Sequence, residues 1–447
     1  PRPRGPDPTM QLAGYPWWIT LFAVLGMLAT VSVVVSLFTT FGRRPKETWL
    51  NRAPQVGSDD FMAGISGTVN APLLKGGSAR LLNNGSEIFP AMLRAFEEAE
   101  HTINFMAYIW EPGKVSDTIL ETLCRKAKQG VEVRVMLDGM GGMRAPDEGI
   151  RKLMEAGGQV TWFRQLRPGK LTRFHKRNHR RAIVVDGKVG FTGGAAVGDK
   201  WLGDAAGEEQ WRDMMVEVRG CVAGNLQSAF TQLWSSVCGE ILLGPGIYPP
   251  DEEAAEAAEG NGESLSRHVN VISSPADEAH PLRKFFFISF RCAREKLYLT
   301  SPYFVPDDDT RKLLADRARK GVDVRVLLPD EHTDAFPIRL ASHSYYQPLL
   351  DAGVRIYEYR GTMLHAKALV VDGRWSVMGS ANMDIRSEEL NQENVIGILD
   401  DGFARQVEET FLDDLTRARE ITAEEWRRRG IWPRVKERFW VLFAEQY

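Results

Sequence analysis

Two stretches of the chain carry the same reactive set. In one, His365, Lys367, Asp372, Gly379, Ser380 and Asn382 stand at fixed offsets between Leu364 and Asn382. In the other, His179, Arg181, Asp186, Gly193 and Gly194 repeat most of that spacing, with Ala196 where the second stretch has Asn382. An imidazole beside a cation suits an anionic ester. Cations, with Ser, Asn and backbone donors, hold the oxygens of a phosphodiester and the charge that builds on them in the transition state. One neutral imidazole can attack phosphorus while a second, protonated, gives its proton to the departing alkoxide. Histidine titrates near neutral pH, so both states are accessible, and the scheme calls for no metal or other cofactor.

The elements that must position these groups are legible around them. Between each His and its Asp lies an apolar run, Ala182 to Val185 or Ala368 to Val371, which reads as a strand. Residues two apart on a strand share a face, so His365 projects with Lys367 and His179 with Arg181. Gly187 and Gly373 read as turns, and Phe191 to Gly194 or Val377 to Ser380 as the returning strand.

The surrounding pattern is duplicated too. Helix-like Glu87 to Glu100, strand-like Thr102 to Trp110, helix-like Ser116 to Gln129 and strand-like Val131 to Leu137 are answered by Arg283 to Glu295, Lys296 to Phe304, Asp308 to Lys320 and Val322 to Leu328. The residues around Val131 to Asp138 and Val322 to Asp330 match as well as their order, so the repeat has the size of a domain rather than of a solenoid unit. The expected fold is α/β: two similar lobes, each a mixed β-sheet flanked by helices, packed face to face around one shared pocket.

At 447 residues with 43% hydrophobic side chains the chain has ample material for such a core. A net charge of -3 gives no general basic surface, which disfavours nucleic acid as a partner. Cys124, Cys221, Cys238 and Cys292 lie too far apart for a structural zinc site and read as reduced thiols.

Outside the lobes, no charged side chain occurs from Gln11 to Gly42, a run long enough to cross a bilayer as a helix. Tyr15, Trp17 and Trp18 suit an interfacial aromatic belt, and Arg43, Arg44, Lys46 and Arg52 after the run favour a single pass with the main body on the cytoplasmic side. The resulting division is a disordered lead at 1–14, a transmembrane helix at 15–41, a juxtamembrane connector at 42–70, lobes at 71–248 and 267–419, an acidic linker at 249–266 that reads as flexible with a helical spacer as the alternative, and a basic amphipathic helix at 420–447. That last segment suits either anionic lipid head groups or docking on the second lobe. His101, His268, His280, His332 and His343 read as structural. His175, in a basic cluster with Lys176 and Arg177, reads as a solvated loop or a recruiter of anionic head groups. Tyr303, Phe304 and Trp211 read as core, and Gly193 and Gly194 either cradle phosphate or serve tight strand packing.

The duplicated motif resembles the phospholipase D superfamily, whose signature is His-x-Lys-x-x-x-x-Asp followed, past six residues, by Gly-Ser/Gly-x-Asn. The second half-site matches it throughout, and Glu393 stands eleven residues beyond Asn382, where the family usually has a Glu. Ser301 to Pro306, Trp211 to Asp213 and Asn382 to Asn391 look like the cardiolipin synthase branch. The first half-site departs at Arg181 and Ala196. The resemblance implies that His179 attacks phosphorus, that His365 is the general acid, and that Lys367 and Arg181 hold phosphate. Asp213 and Glu393 fall where the family has orienting carboxylates, next to a phosphate-binding set of Ser380, Asn382 and Gly194. Asp186 and Asp372 belong to the motif and suit support of each half-site. The resemblance further implies a membrane-anchored phosphatidyltransferase acting on phospholipids such as phosphatidylglycerol, with hydrolysis by water, a nucleic-acid phosphodiesterase or an inactive scaffold as alternatives.

Overall fold

The computed structural model of the chain describes residues 11–12, 15–40, 48–165, 176–259, 266–275 and 279–443, with backbone alone for 11–16 and 33–40. It forms two units, Pro1–Trp49 and Leu50–Tyr447. In the first, two short strands, Gln11–Leu12 and Tyr15–Pro16, pair ahead of a 24-residue helix, Trp17–Thr40. This helix coincides with the expected span at 15–41. Among the described residues, however, no helix is long and apolar enough to cross a membrane, and the side chains of this one are described only as far as Ser32.

Among the described residues the second unit is built on a 15-stranded sheet. In chain order its strands are β1 (Leu73–Asn83), β2 (Thr102–Ala107), β3 (Glu132–Asp138), β4 (Gln159–Phe163), β5 (Ala182–Val185), β6 (Val189–Gly193) and β7 (Met214–Arg219) in the first half. The second half supplies β8 (Ser266–Ser273), β9 (Lys296–Thr300), β10 (Asp323–Pro329), β11 (Arg355–Tyr359), β12 (Ala368–Val371), β13 (Trp375–Gly379), β14 (Glu393–Leu399) and β15 (Ala418–Ile421). The order in space is β15-β11-β10-β9-β12-β13-β14-β8-β1-β7-β6-β5-β2-β3-β4. Outward from the central β8–β1 pair both halves run through the same sequence of strands, β15 being the one addition. The duplication read in the sequence is thus a duplication of topology, with β2-β3-β4 and β9-β10-β11 parallel and the remaining pairs antiparallel.

The halves are joined along an edge as well as packed across a face. β8 pairs with β1 through a register shift at Ser266/Arg267, and a bulge of this kind bends a sheet. Ala182 and Val184 of β5 then share a core with Ala368 and Val370 of β12, while Ile183 and Val185, or Leu369 and Val371, face a separate core on the other side of each half. Burial on both faces explains why these runs are apolar throughout rather than alternating. Helices Cys221–Cys238 and Asp401–Thr416 complete the shared core.

Each motif hairpin closes in the same way. Asp186 and Gly187 have φ of 52° and 65°, Asp372 and Gly373 of 53° and 62°, the two left-handed residues of the tight turn that matches strand twist. The Asp186 carboxylate accepts from the N–H groups of Glu100 (2.8 Å), His101 (2.8 Å) and Thr102 (2.6 Å). That of Asp372 accepts from Arg294 (3.1 Å), Glu295 (2.9 Å) and Lys296 (3.1 Å). Both Asp residues belong to the motif and were expected to support its half-site; each fastens the loop entering β2 or β9.

Several boundaries differ from the sequence expectation. The strand expected to run from Lys296 to Phe304 stops at Thr300, because Pro302 has no N–H to continue the ladder; Phe304–Val305 pairs separately with Met383–Asp384. Within the expected connector at 42–70, Asp59–Val69 is a helix capped by Ser58, and its Phe61, Met62 and Ile65 are buried in the core of the second half. The acidic stretch is not a flexible linker over Asp251–Glu259. It is a helix whose Ala254 and Ala258 are buried, with Glu253 paired to Lys188 at 2.7 Å. Small side chains every fourth residue give an otherwise charged helix one face to bury.

Replacing Asp186 or Asp372 by Ala leaves three backbone donors short of an acceptor, and each variant is expected to lose on the order of 1–3 kcal/mol of stability. Thermal unfolding followed by circular dichroism checks this; melting temperatures unchanged in both variants would remove the loop-fastening role.

Candidate active site

The two half-sites meet because each is threaded against the other half of the chain. The His179 N–H donates to the Gln392 carbonyl (2.9 Å), and the Gln392 N–H to that of Arg177 (2.9 Å). In mirrored fashion the His365 N–H donates to the Arg212 carbonyl (2.8 Å), and the Arg212 N–H to that of Met363 (2.9 Å). Each histidine therefore lies on an extended segment just ahead of its strand, one residue from the partner half's carboxylate. The crossing settles the orientation of both imidazoles. His179 Nδ1–H donates to Glu393 (2.9 and 3.1 Å), and His365 Nδ1–H to Asp213 (2.7 Å).

With Nδ1 committed as donor, each Nε2 keeps a lone pair. A cation stands beside it: Arg181 Nη1 is 3.1 Å from His179 Nε2, and Lys367 Nζ 3.1 Å from His365 Nε2. Both cations also donate to the carbonyl of their own half's histidine, at 3.1 and 2.7 Å, so residues two apart do project together as expected. Among the described residues, Arg181 Nε and Nη2 are buried donors without a partner, spare capacity for the oxygens of an anion; Asn382 Oδ1, also unpartnered, is an acceptor and offers such an oxygen nothing.

The electrostatics follow from burial. It pushes His179 down to about 4, with Glu393 pulling it back and Arg181 adding to the fall. Burial, then the neighbouring charge of Lys367, takes His365 to about 3. Burial lowers Lys367 to about 7, against the opposing pull of Asp213. For Asp213 and Glu393 burial acts upward, but the imidazoles they hold keep both below the usual carboxylate range. At neutral pH the resting site thus pairs two ionised carboxylates with two neutral imidazoles. A phosphodiester brought against the cations adds negative charge and raises the proton affinity of His365 and Lys367.

Two residues expected to bind phosphate, Gly194 and Ser380, do other work. The Gly194 N–H is spent on the Met214 carbonyl (3.0 Å), and a Cβ there would lie 2.0 Å from Asp213 Oδ1, so this glycine makes room for the carboxylate. The Ser380 hydroxyl donates to Glu393 and accepts from the Asn394 N–H (3.0 Å). Asp213 and Glu393 themselves face the imidazoles, which suits the orienting role. Arg177 is buried against Asp138 (3.4 Å) rather than held out as a head-group recruiter, while His175 lies outside the described residues.

Four groups escaped the sequence reading. The Tyr108 ring stands edge-on to His179 with centroids 4.9 Å apart, and the Trp211 ring, taken for core, lies 5.2 Å from that of His365. Trp201 Nε1–H donates to Asp213 (2.8 Å) and Asn391 Nδ2–H to Glu393 (3.3 Å), completing the support of each carboxylate. Trp211 adjoins Arg212 and Asp213 in sequence, which was a usable signal; Tyr108 and Trp201 lie at no motif offset and had none.

Comparison with known proteins agrees with this geometry. The family model described as "Cardiolipin synthase, PLD-like domain" matches residues 92–234 and 288–415, one segment for each half. Cardiolipin synthase A of Yersinia pseudotuberculosis serotype O:1b (strain IP 31758) is 33% identical over 379 residues, covering 83% of this chain and 76% of that protein. Cardiolipin synthase A of Yersinia pestis bv. Antiqua (strain Angola) matches to the same extent. Phosphatidylserine synthase of Haemophilus influenzae Rd KW20 shares the fold, with a TM-score of 0.64 at 15% identity over 86% of this chain and 97% of its own. Two topologically equivalent halves, each giving a histidine that the other half's carboxylate orients, together with these matches, make the chain a member of the cardiolipin synthase family of the phospholipase D superfamily.

Proposed function

We propose that the protein is a phosphatidyltransferase of cardiolipin synthase type, which moves a phosphatidyl group from one phospholipid to the hydroxyl of a second. The observation that carries this reading is the crossed pair of carboxylate-oriented imidazoles with a cation at each Nε2. Phosphatidylglycerol is the proposed donor. Once the bound phosphodiester has raised its proton affinity, His365 takes up a proton at Nε2; the His179 Nε2 lone pair then attacks phosphorus as the bond to the glycerol oxygen breaks, and His365 delivers that proton to the oxygen so that glycerol leaves. His365, now neutral, takes the proton of the incoming lipid hydroxyl; its oxygen attacks phosphorus, the P–N bond breaks, and His179 is restored. Arg181 and Lys367 hold the non-bridging oxygens through both steps. Because Arg181 already donates to His179 Nε2, substrate phosphate has to draw the guanidinium away before attack.

We further propose that helix Trp17–Thr40 is a single-pass anchor with the main body on the cytoplasmic side. Its length of 24 residues, the absence of charge from Gln11 to Gly42 and the cations that follow support this.

The assay is the purified protein with phosphatidylglycerol vesicles, products resolved by mass spectrometry. Cardiolipin and glycerol in equal amounts are expected; phosphatidic acid alone would make the protein a hydrolase, and no turnover would end the enzymatic reading. In a quenched reaction His179→Ala should yield no phosphoenzyme, whereas His365→Ala should accumulate it; the reverse pattern exchanges the two roles. Glu393→Gln and Asp213→Asn should each lower kcat by about 10²- to 10⁴-fold at unchanged fold, as loss of an imidazole-orienting carboxylate does elsewhere. Finally, kcat/KM reports groups of the free enzyme. Lys367, at about 7, sheds its charge as pH rises, so kcat/KM should fall above that value and the fall should vanish in Lys367→Arg. A wild-type profile flat between about pH 6 and 9 would count against the assigned role of Lys367.

A further inference from the structure

The C-terminal helix, Ile431–Val441, is seated with its polarity reversed. Its Glu437 is buried, paired with Arg429 at 2.5 Å and facing His343 at 3.8 Å, and Trp440 and Val441 pack beside it into a small apolar cluster with Tyr303, Val305 and Ile338. Arg429 in turn lies over the ring of Trp426, 3.2 Å from its centroid, and Trp426 stacks on Tyr346. A buried ion pair costs desolvation and holds only in good geometry, so it fixes which way the helix faces. With about 100° between successive residues, the side chains opposite Glu437 are Trp432, Val435, Phe439 and Leu442. All four are exposed, Trp432 and Leu442 at 72%. Arg434 and Arg438 fall on one flank of this ridge and Lys436 on the other; none of the three forms an ion pair among the described residues.

We propose that this ridge is a bilayer-contact surface, the apolar side chains entering the interface of an anionic phospholipid membrane and the three flanking cations meeting its head groups. A water-facing helix keeps its large apolar residues in; this one turns Trp432, Val435, Phe439 and Leu442 out beside its three cations while its single carboxylate is paired inside. A second copy of the chain is the other candidate occupant, but a self-complementary contact would bring Arg434, Lys436 and Arg438 against their own counterparts, whereas an anionic surface satisfies all three. The seat of the helix reaches the site, since Tyr303 in the same cluster donates through its hydroxyl to Asp334 (2.8 Å), whose charge favours the protonated form of Lys367. The inference rests on the phosphatidyl-transfer reading only for the activity arm of its test.

The full-length protein, reconstituted in bilayers of phosphatidylglycerol or of a zwitterionic phosphatidylcholine, is footprinted with hydroxyl radicals. Trp432, Phe439 and Leu442 should be protected in the anionic bilayer and much less so in the zwitterionic one. Protection in both bilayers alike, in neither, or in detergent in proportion to protein concentration overturns the proposal, the last assigning the ridge to self-association. In the activity arm, Trp432→Ser combined with Leu442→Ser should lower turnover of phosphatidylglycerol in vesicles by about tenfold and leave turnover of a short-chain phosphatidylglycerol below its aggregation concentration unchanged. Replacing Arg434, Lys436 and Arg438 by Gln should weaken the anionic preference, roughly fivefold for each cation removed. Equal loss on both substrates means that the helix serves the fold, which also overturns the proposal. Absence of wild-type turnover on either substrate defeats the phosphatidyl-transfer reading while the footprint still decides this one.

Discussion

Everything at the centre of this molecule depends on one crossing: each imidazole is oriented by a carboxylate from the opposite half of the chain. His179 is held by Glu393 and His365 by Asp213, and in both cases the main chain beside the histidine is hydrogen-bonded to the main chain beside that carboxylate. Neither half owns a complete site. The shared core behind the motif strands, with Ala182 and Val184 against Ala368 and Val370, is what holds the crossing in register, and the Asp-Gly turns fasten the far end of each strand.

The two halves reach the same end with different side chains. Glu393 is one methylene longer than Asp213, and Ser380 supplies it with a hydroxyl donor. Opposite, a side chain at Gly194 would collide with the shorter carboxylate, and the indole of Trp201 supplies the donor from another loop. A similar exchange separates Arg181 with Ala196 from Lys367 with Asn382. Arg181 and Ala196 line one small cavity, so the larger cation sits where the amide is missing. The guanidinium stays charged in a buried place where an ammonium falls to about 7, which gives the two cation positions different titration behaviour.

That difference matters because the site is buried and crowded with charge. Two carboxylates and two cations stand within hydrogen-bonding distance of two imidazoles that burial keeps neutral. A neutral imidazole with its Nδ1–H committed to a carboxylate is in the tautomer needed for attack through Nε2, and the same carboxylate steadies the positive ring that forms on protonation or phosphorylation. The substrate's own negative charge supplies the shift that prepares the acid.

The chemistry-bearing residues were legible in the sequence because their spacing is local: two histidines, each with a cation two residues on and an Asp-Gly turn beyond a doubly buried strand. The duplication was equally plain, since repeated helix and strand patterns need no knowledge of contacts. Role was not legible where it depends on what lies across the fold. Gly194 and Ser380 sit at motif offsets yet support carboxylates, and Trp201 and Tyr108, at no offset, touch the site. The helix Asp59–Val69 joins a core far along the chain from it, and Glu437 turns a basic amphipathic helix so that its apolar side faces outward. Local spacing determines which groups are available; only tertiary packing decides which atoms face one another, because hydrogen bonds and burial are settled between segments that the chain brings together from hundreds of residues apart.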